Sequence, residues 1–218
     1  MSNEDKCESG GIRGSVMKQP DYRQWEIDKY IYLYEKPREK KSGRIVNYGS
    51  IPGWRKDLLR GYYKEIKTMA VGGSILDVGC GRGESIRIAE QVGISITGAE
   101  VVPKLCNEKN VICVPGAHDL PFSDRSFSAI SCVDVMEHIP EQDADLVFQE
   151  FARVAPEALI GISLRESAWK LHNLHITLKD HVWWMEKLVK AFRHVMTYPY
   201  KGNPQADDYL VVRCESPS

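Results

Sequence analysis

The stretch Ile75-Leu-Asp-Val-Gly-Cys-Gly-Arg-Gly83 limits the folds open to this chain more than any other. Ser74–Val78 is an apolar run of strand length. Three glycines at alternate positions follow it, and then the helical pattern of Glu84–Val92 begins. Glycines let the backbone turn sharply and let a ligand approach it closely. The N–H groups that open the next helix offer donors to an anionic group. Strand, glycine turn and helix in this order predict a ligand-binding turn in a doubly wound α/β sheet.

The chain beyond this turn keeps alternating. Residues 94–100, 111–114, 128–133 and 158–164 read as strands, and 103–109 as a short helix or turn. Residues 143–154 and 177–192 read as helices, the second opened by a capping box of Thr177 and Asp180. Residues 193–198 and 208–214 read as a terminal strand pair around Gly202, Asn203 and Pro204. Strands alternating with helices predict a mainly parallel sheet covered on both faces, with an antiparallel edge pair. Upstream, 21–34 reads as a helix and 36–53 as loop. Residues 54–70 read as a helix with Leu58, Tyr62, Ile66 and Met69 on one face. The expected division is a flexible tail over 1–19, an aromatic-rich lid and substrate segment over 20–70, and a ligand-binding domain over 71–218.

Composition narrows the class. The 218 residues are 43% hydrophobic and 27% charged, as in an ordinary soluble domain. No apolar run approaches the ~20 residues that span a bilayer. The first twenty residues lack the apolar core of a secretory signal, so a cytoplasmic location is expected. Six cysteines form no Cys-x-x-Cys pair, which predicts reduced, buried thiols and no structural zinc. Residues 1–70 hold 15 Lys/Arg and 10 Asp/Glu, a local excess of +5 in a chain of net charge −1. Much of it lies in Lys36–Arg44, which reads either as a solvated loop or as a contact for an anionic substrate. Nothing resembles the extended basic footprint of a nucleic-acid binder.

Two details separate the glycine turn from a dinucleotide site. Its spacing is Gly-x-Gly-x-Gly, not Gly-x-Gly-x-x-Gly. Asp77 also sits two residues before Gly79, where a carboxylate stabilises a cationic amine and does nothing for a pyrophosphate. Glu100 ends the second strand, where a carboxylate can accept hydrogen bonds from a ribose diol.

These residues resemble the class I S-adenosylmethionine-dependent methyltransferases of the small-molecule type. Ile75–Gly83 is similar to that family's first motif and Gly98-Ala-Glu100 to its acidic second motif. Gly116–Phe127 resembles the stretch lining the adenine. Cys132-Val-Asp-Val-Met-Glu-His-Ile139 resembles the fourth-strand motif. The resemblance covers about residues 74–214. It implies a seven-stranded sheet with S-adenosylmethionine at the carboxyl ends of the strands. It implies that Asp77 and Gly79 hold the methionine part, Glu100 the ribose, and Ala117 with His118 the adenine, with Cys80 and Gly81 also binding the cofactor. Val133 and Asp134 would border the methionine and methyl group. The family often carries Asp where Gly116 stands. Its contact to the adenine amino group would then come from Asp119, from backbone, or be absent.

Methyl transfer is an in-line displacement in which alignment does most of the work, and an alcohol acceptor also benefits from a base. His138, after the fourth strand, and His175, after the fifth, are the candidates. His172 is a candidate substrate ligand. Each also has a plain packing or capping reading. No ligand spacing among His172, His175 and His181 compels a metal, and none is expected. Tyr30, Tyr48 and Trp54 are candidates for the substrate pocket, although large aromatics serve mostly as packing. The motifs of amino-methylating nucleic-acid enzymes (Asp/Asn-Pro-Pro-Tyr/Phe) and of pyrimidine carbon methylation (Pro-Cys) are missing. The expected activity is methylation of oxygen, or less readily nitrogen, on a small molecule or glycan unit. The competing readings are a non-catalytic partner subunit that binds the same cofactor, a nucleic-acid methyltransferase and a nucleotide-dependent oxidoreductase, which the glycine spacing disfavours. Oligomeric state is not legible.

Overall fold

The computed structural model describes residues 22–36, 38–39, 45–46, 48, 61–68, 73–167, 174–198 and 208–217. Helix α1 spans Tyr22–Glu35. A two-residue antiparallel ladder follows, β1 (Arg38–Glu39) with β2 (Ile45–Val46), inside a stretch expected as loop. Helix α2 covers described residues 61–68. Then come β3 (Ser74–Val78), α3 (Glu84–Gln91), β4 (Ser95–Glu100), β5 (Val111–Cys113) and β6 (Ala129–Val133). The chain continues through α4 (Ala144–Val154), β7 (Glu157–Ser163), α5 (His181–Ala191), β8 (His194–Thr197) and β9 (Tyr209–Glu215).

The seven strands β3–β9 form one sheet in the order β5-β4-β3-β6-β7-β9-β8. Neighbours run parallel from β5 to β7, and β9 lies antiparallel to both β7 and β8. This is the expected doubly wound sheet with its antiparallel edge pair. Parallel strands buried on both faces need near-continuous apolar sequence, and β3, β6 and β7 supply it apart from the buried Asp77 and Ser131 and the residues at their ends. Successive side chains point to opposite faces. Leu76, Ile130 and Ile160 therefore join one core with Phe148, Phe151, Trp184 and Leu188 of α4 and α5. Ile75, Ala129 and Leu159 join the other with Tyr62, Tyr63 and Ile66 of α2 and Ile86 and Ile88 of α3. Tyr62 also donates its hydroxyl to the Leu159 carbonyl, pinning α2 to the centre of the sheet. No helix among the described residues is long and apolar enough to cross a membrane.

Two expectations are corrected. Thr177 does not open the last helix. Asp180 is the N-cap, and its carboxylate accepts the Trp183 N–H at 2.9 Å. Thr177 is buried and hydroxyl-bonded to the Ile139 carbonyl at 2.6 Å, while its N–H bonds the Glu137 carbonyl at 3.1 Å. The cysteines are not all reduced. Cys80, Cys132 and Cys214 are buried thiols, but Cys106 and Cys113 form a disulfide. The ladder sets Cys113 beside Glu100, and the turn after β4 folds Cys106 back to a Cα separation of 5.2 Å, within bridging reach.

Candidate active site

The strand order reverses direction between β3 and β6, and ligands of open α/β sheets bind outside the carboxyl ends of the strands at such a point. A cavity lies there, enclosing about 930 Å³ of space when its open mouth is included. Gly79 follows β3, Glu100 ends β4, Ala117 and His118 follow β5, and Asp134 and His138 follow β6. All six line it.

The glycine turn owes its path to positive φ. Gly79 has φ 74° and Gly81 φ 55°. A Cβ on Gly79 would fall 2.4 Å from Val135 Cγ2, and one on Gly81 2.8 Å from the Tyr34 hydroxyl. Only glycine suits both the backbone and the space. The turn is tied to β4 by Gly79 N–H to the Ala99 carbonyl (2.8 Å) and Gly81 N–H to Glu100 Oε2 (2.8 Å). Glu100 Oε1 accepts the N–H groups of Val101 and Val102 at 2.9 and 3.1 Å. A carboxylate has about four acceptor positions, so these three bonds leave room for one more donor. Burial pushes the Glu100 carboxyl upward in pKa, and the three N–H donors oppose that.

Asp77 stands apart from the cavity lining. It is 4% exposed, with Oδ2 accepting from Ser85 (2.6 Å) and Oδ1 from Ser131 (2.8 Å) and Tyr63 (3.2 Å). Burial raises its pKa, and these hydroxyl bonds lower it. Its carboxylate therefore braces the strand beneath the turn. Cys80, Gly81 and Val133 likewise lie behind the wall. Burial pushes the Cys80 thiol far up, so it stays protonated.

Gly116 carries the departure from the family pattern, and His118 explains it. A Cβ on Gly116 would sit 2.5 Å from His118 Cε1. The imidazole occupies the space that a side chain at 116 would need.

Helix α1 roofs the cavity with Arg23, Glu26, Ile27, Tyr30 and Tyr34, and Tyr48 joins them. Arg23 holds Asp143 through Nε (2.9 Å) and Nη2 (2.8 Å). Arg82 of the glycine turn donates to the carbonyls of Tyr34 (3.1 Å) and Tyr48 (3.2 Å). The roof is thus fastened to both sides. Of these residues the sequence singled out Tyr30 and Tyr48 alone; α1 is too irregularly amphipathic for its spacing to mark the rest. Trp54 and His172 lie outside the described residues.

His138 reaches the cavity and His175 stands behind it, the two rings edge to face with centroids 4.7 Å apart. Tyr30 lies against the other side of His138, at 5.5 Å. His138 Nδ1 is 2.8 Å from the Leu174 carbonyl. A carbonyl only accepts, so Nδ1 carries the proton and Nε2 keeps its lone pair. Burial lowers the His138 pKa to about 3, so the ring is neutral at pH 7.

Comparison with known proteins agrees with this geometry. Residues 76–158 match the family described as a methyltransferase domain. The mitochondrial ubiquinone biosynthesis O-methyltransferase of Schizosaccharomyces pombe is 26% identical over 140 residues, 59% of this chain and 50% of that protein. A demethylmenaquinone methyltransferase of Tropheryma whipplei is 32% identical over 79 residues, 33% of each chain. The chain thus spans half or less of the length of these curated relatives. The 1,6-didemethyltoxoflavin-N1-methyltransferase of Burkholderia thailandensis, solved with S-adenosylhomocysteine, superposes with TM-score 0.60 at 16% identity, covering 94% of this chain and 93% of that one. At that identity the likeness is one of fold.

Proposed function

Because the chain carries a methyltransferase domain on the class I S-adenosylmethionine-dependent methyltransferase fold, we propose that it is an enzyme that binds S-adenosylmethionine in this cavity and methylates an oxygen, or less readily a nitrogen, of a small molecule or glycan unit. One observation carries the reading. Gly79, Glu100, Ala117 with His118, and Asp134 with His138 come from the ends of four neighbouring parallel strands and converge on one cavity. Their chemistry fits the cofactor. Glu100 keeps acceptor capacity for a ribose hydroxyl, and the turn at Gly79 lets a ligand lie close to the backbone. Ala117 and His118 form the adenine wall, and the electron-rich rings of Tyr30, Tyr34 and Tyr48 face a cationic ligand.

Asp77 contributes by holding β3, α3 and β6 in register beneath the turn through Ser85 and Ser131. Residues 20–70 supply the acceptor side, with α1 as the roof that excludes water. When bound, S-adenosylmethionine supplies an activated methyl on a sulfonium: the acceptor oxygen forms the new O–C bond, the S–C bond breaks, and its electron pair stays on sulfur. His138 takes the hydroxyl proton at Nε2, the ring nitrogen that the Leu174 carbonyl leaves unprotonated. His175 positions His138 by its edge-to-face contact.

The test is a screen of phenols, catechols, hydroxylated quinone precursors, sugars and amines, monitored by S-adenosylhomocysteine release. The reading expects turnover with an oxygen acceptor, reduced at least tenfold in kcat by His138→Gln with S-adenosylhomocysteine affinity retained. Release with none of these acceptors, from protein that binds S-adenosylhomocysteine, would overturn it in favour of a non-catalytic binding subunit.

A further inference from the structure

Glu137, His138 and His175 converge at the cavity wall, where His138 lines the cavity and the other two stand behind it. Each presents one ligand atom, and the three atoms all lie within 4.8 Å of one another. Glu137 and His138 are consecutive on the single turn Met136–His138 after β6. His175 arrives from the segment before α5. The Glu137 side chain is fully buried.

The histidines are dressed in the same way. His138 Nδ1 faces the Leu174 carbonyl and His175 Nδ1 faces the Arg165 carbonyl. A carbonyl fixes the proton on Nδ1, so each ring offers Nε2 as its lone pair. Metal-bound histidines are oriented by such a bond from the non-ligating nitrogen. A second observation lies on the same wall. The Tyr30 hydroxyl is buried and has no hydrogen-bond partner among the described residues, and its ring abuts His138. A buried hydroxyl without a partner calls for an unseen ligand or water.

We propose that Glu137, His138 and His175 bind a divalent transition-metal ion at the wall of the cavity. Two imidazoles and one carboxylate suit zinc, cobalt or iron better than magnesium or calcium. Three protein ligands leave positions open, as in metal sites that act on a substrate. Metal–ligand bonds of about 2.0–2.1 Å place tetrahedral ligand atoms about 3.3 Å apart, so the side chains close by at most about 1.5 Å on binding. Lys29 is a cation whose charge acts on His138, adding to the lowering of its pKa. It pairs with Glu26. The ion's role rests on the proposed methyl transfer: it would coordinate an acceptor oxygen in the cavity that His138 lines. Metal then takes the His138 Nε2 lone pair that otherwise serves as base, so the two roles are alternatives at one atom.

The test titrates Co(II) and Zn(II) into the full chain stripped with chelator, by calorimetry and by the visible absorption of Co(II). S-adenosylhomocysteine is titrated into the same samples. One Co(II) per chain is expected, with affinity falling at least tenfold in both Glu137→Gln and His175→Ala. No binding up to about 1 mM, or unchanged affinity in His175→Ala, overturns the site. If Glu137→Gln does not fold, His175→Ala decides alone, because that side chain is only half-buried. Protein that binds S-adenosylhomocysteine but no Co(II) refutes the metal alone. Protein that binds Co(II) but no S-adenosylhomocysteine refutes the proposed function alone.

Discussion

Glu100 Oε2 accepts the Gly81 N–H at 2.8 Å, so one carboxylate joins the end of β4 to the glycine turn after β3. With the bonds from Val101 and Val102, the side chain fixes both loops at the floor of the cavity. Glu100→Ala leaves three donors without an acceptor. Each bond to a charged group contributes about 1.5–3 kcal/mol, and water entering the gap recovers part of it. The expected loss is at least about 2 kcal/mol in urea unfolding, together with a loss of cofactor affinity.

Gly79 and Val135 make a second pair that substitution can separate. Gly79→Ala should destabilise by about 1–3 kcal/mol, because its φ of 74° suits glycine and because the new methyl meets Val135. Adding Val135→Ala should recover the steric part and leave the backbone part. Additive losses in a double-mutant cycle would contradict the contact.

His138 makes stability depend on pH with a definite sign. In the fold it protonates near pH 3, and in the unfolded chain near 6.5. Between these values the unfolded chain holds more protons, so this group's contribution to stability rises with pH and is lost on acidification. Moving from pH 7 to pH 5 should cost wild type about 2 kcal/mol more than His138→Gln, read from urea midpoints at both values. Burial raises the pKa of Asp77 and Glu100, which gives the opposite trend near and above the usual carboxylate range. Because both proteins share those groups, the difference isolates His138.

The strands were legible because a parallel sheet buried on both faces demands short, mostly apolar runs, and Ile75–Val78, Ala129–Val133 and Ala158–Ile162 are such runs, interrupted only by Asp77 and Ser131. The glycine turn was legible because positive φ at Gly79 and Gly81 restricts those positions to glycine. What remained hidden depends on pairs distant in sequence. Asp77 stands out in the sequence as a carboxylate before the glycines, but its bond to Ser131 appears only once the fold sets β3 beside β6. The roof over the cavity depends on Arg23 meeting Asp143, 120 residues away. Thr177 and Asp180 are both plausible caps by residue type, and the burial of Thr177 beneath Ile139 decides between them.

The Arg23–Asp143 pair gives a further prediction. Arg23 is 38% exposed, so Arg23→Met should cost under about 1 kcal/mol of global stability. Amide exchange should nevertheless quicken in α1 and leave the central strands unchanged. Equal protection of α1 in both proteins would show that the aromatic contacts hold the roof without the ion pair.

The central claim is that S-adenosylmethionine occupies the cavity at the carboxyl ends of β3, β4, β5 and β6. Titration of isotope-labelled protein with S-adenosylhomocysteine, followed by amide chemical shifts, locates the ligand residue by residue. Saturable shifts centred on Gly79–Gly81, Glu100–Val102, Ala117–His118 and Asp134–Val135 are predicted. Absence of shifts at millimolar ligand, or shifts centred away from these four strand ends, would contradict it.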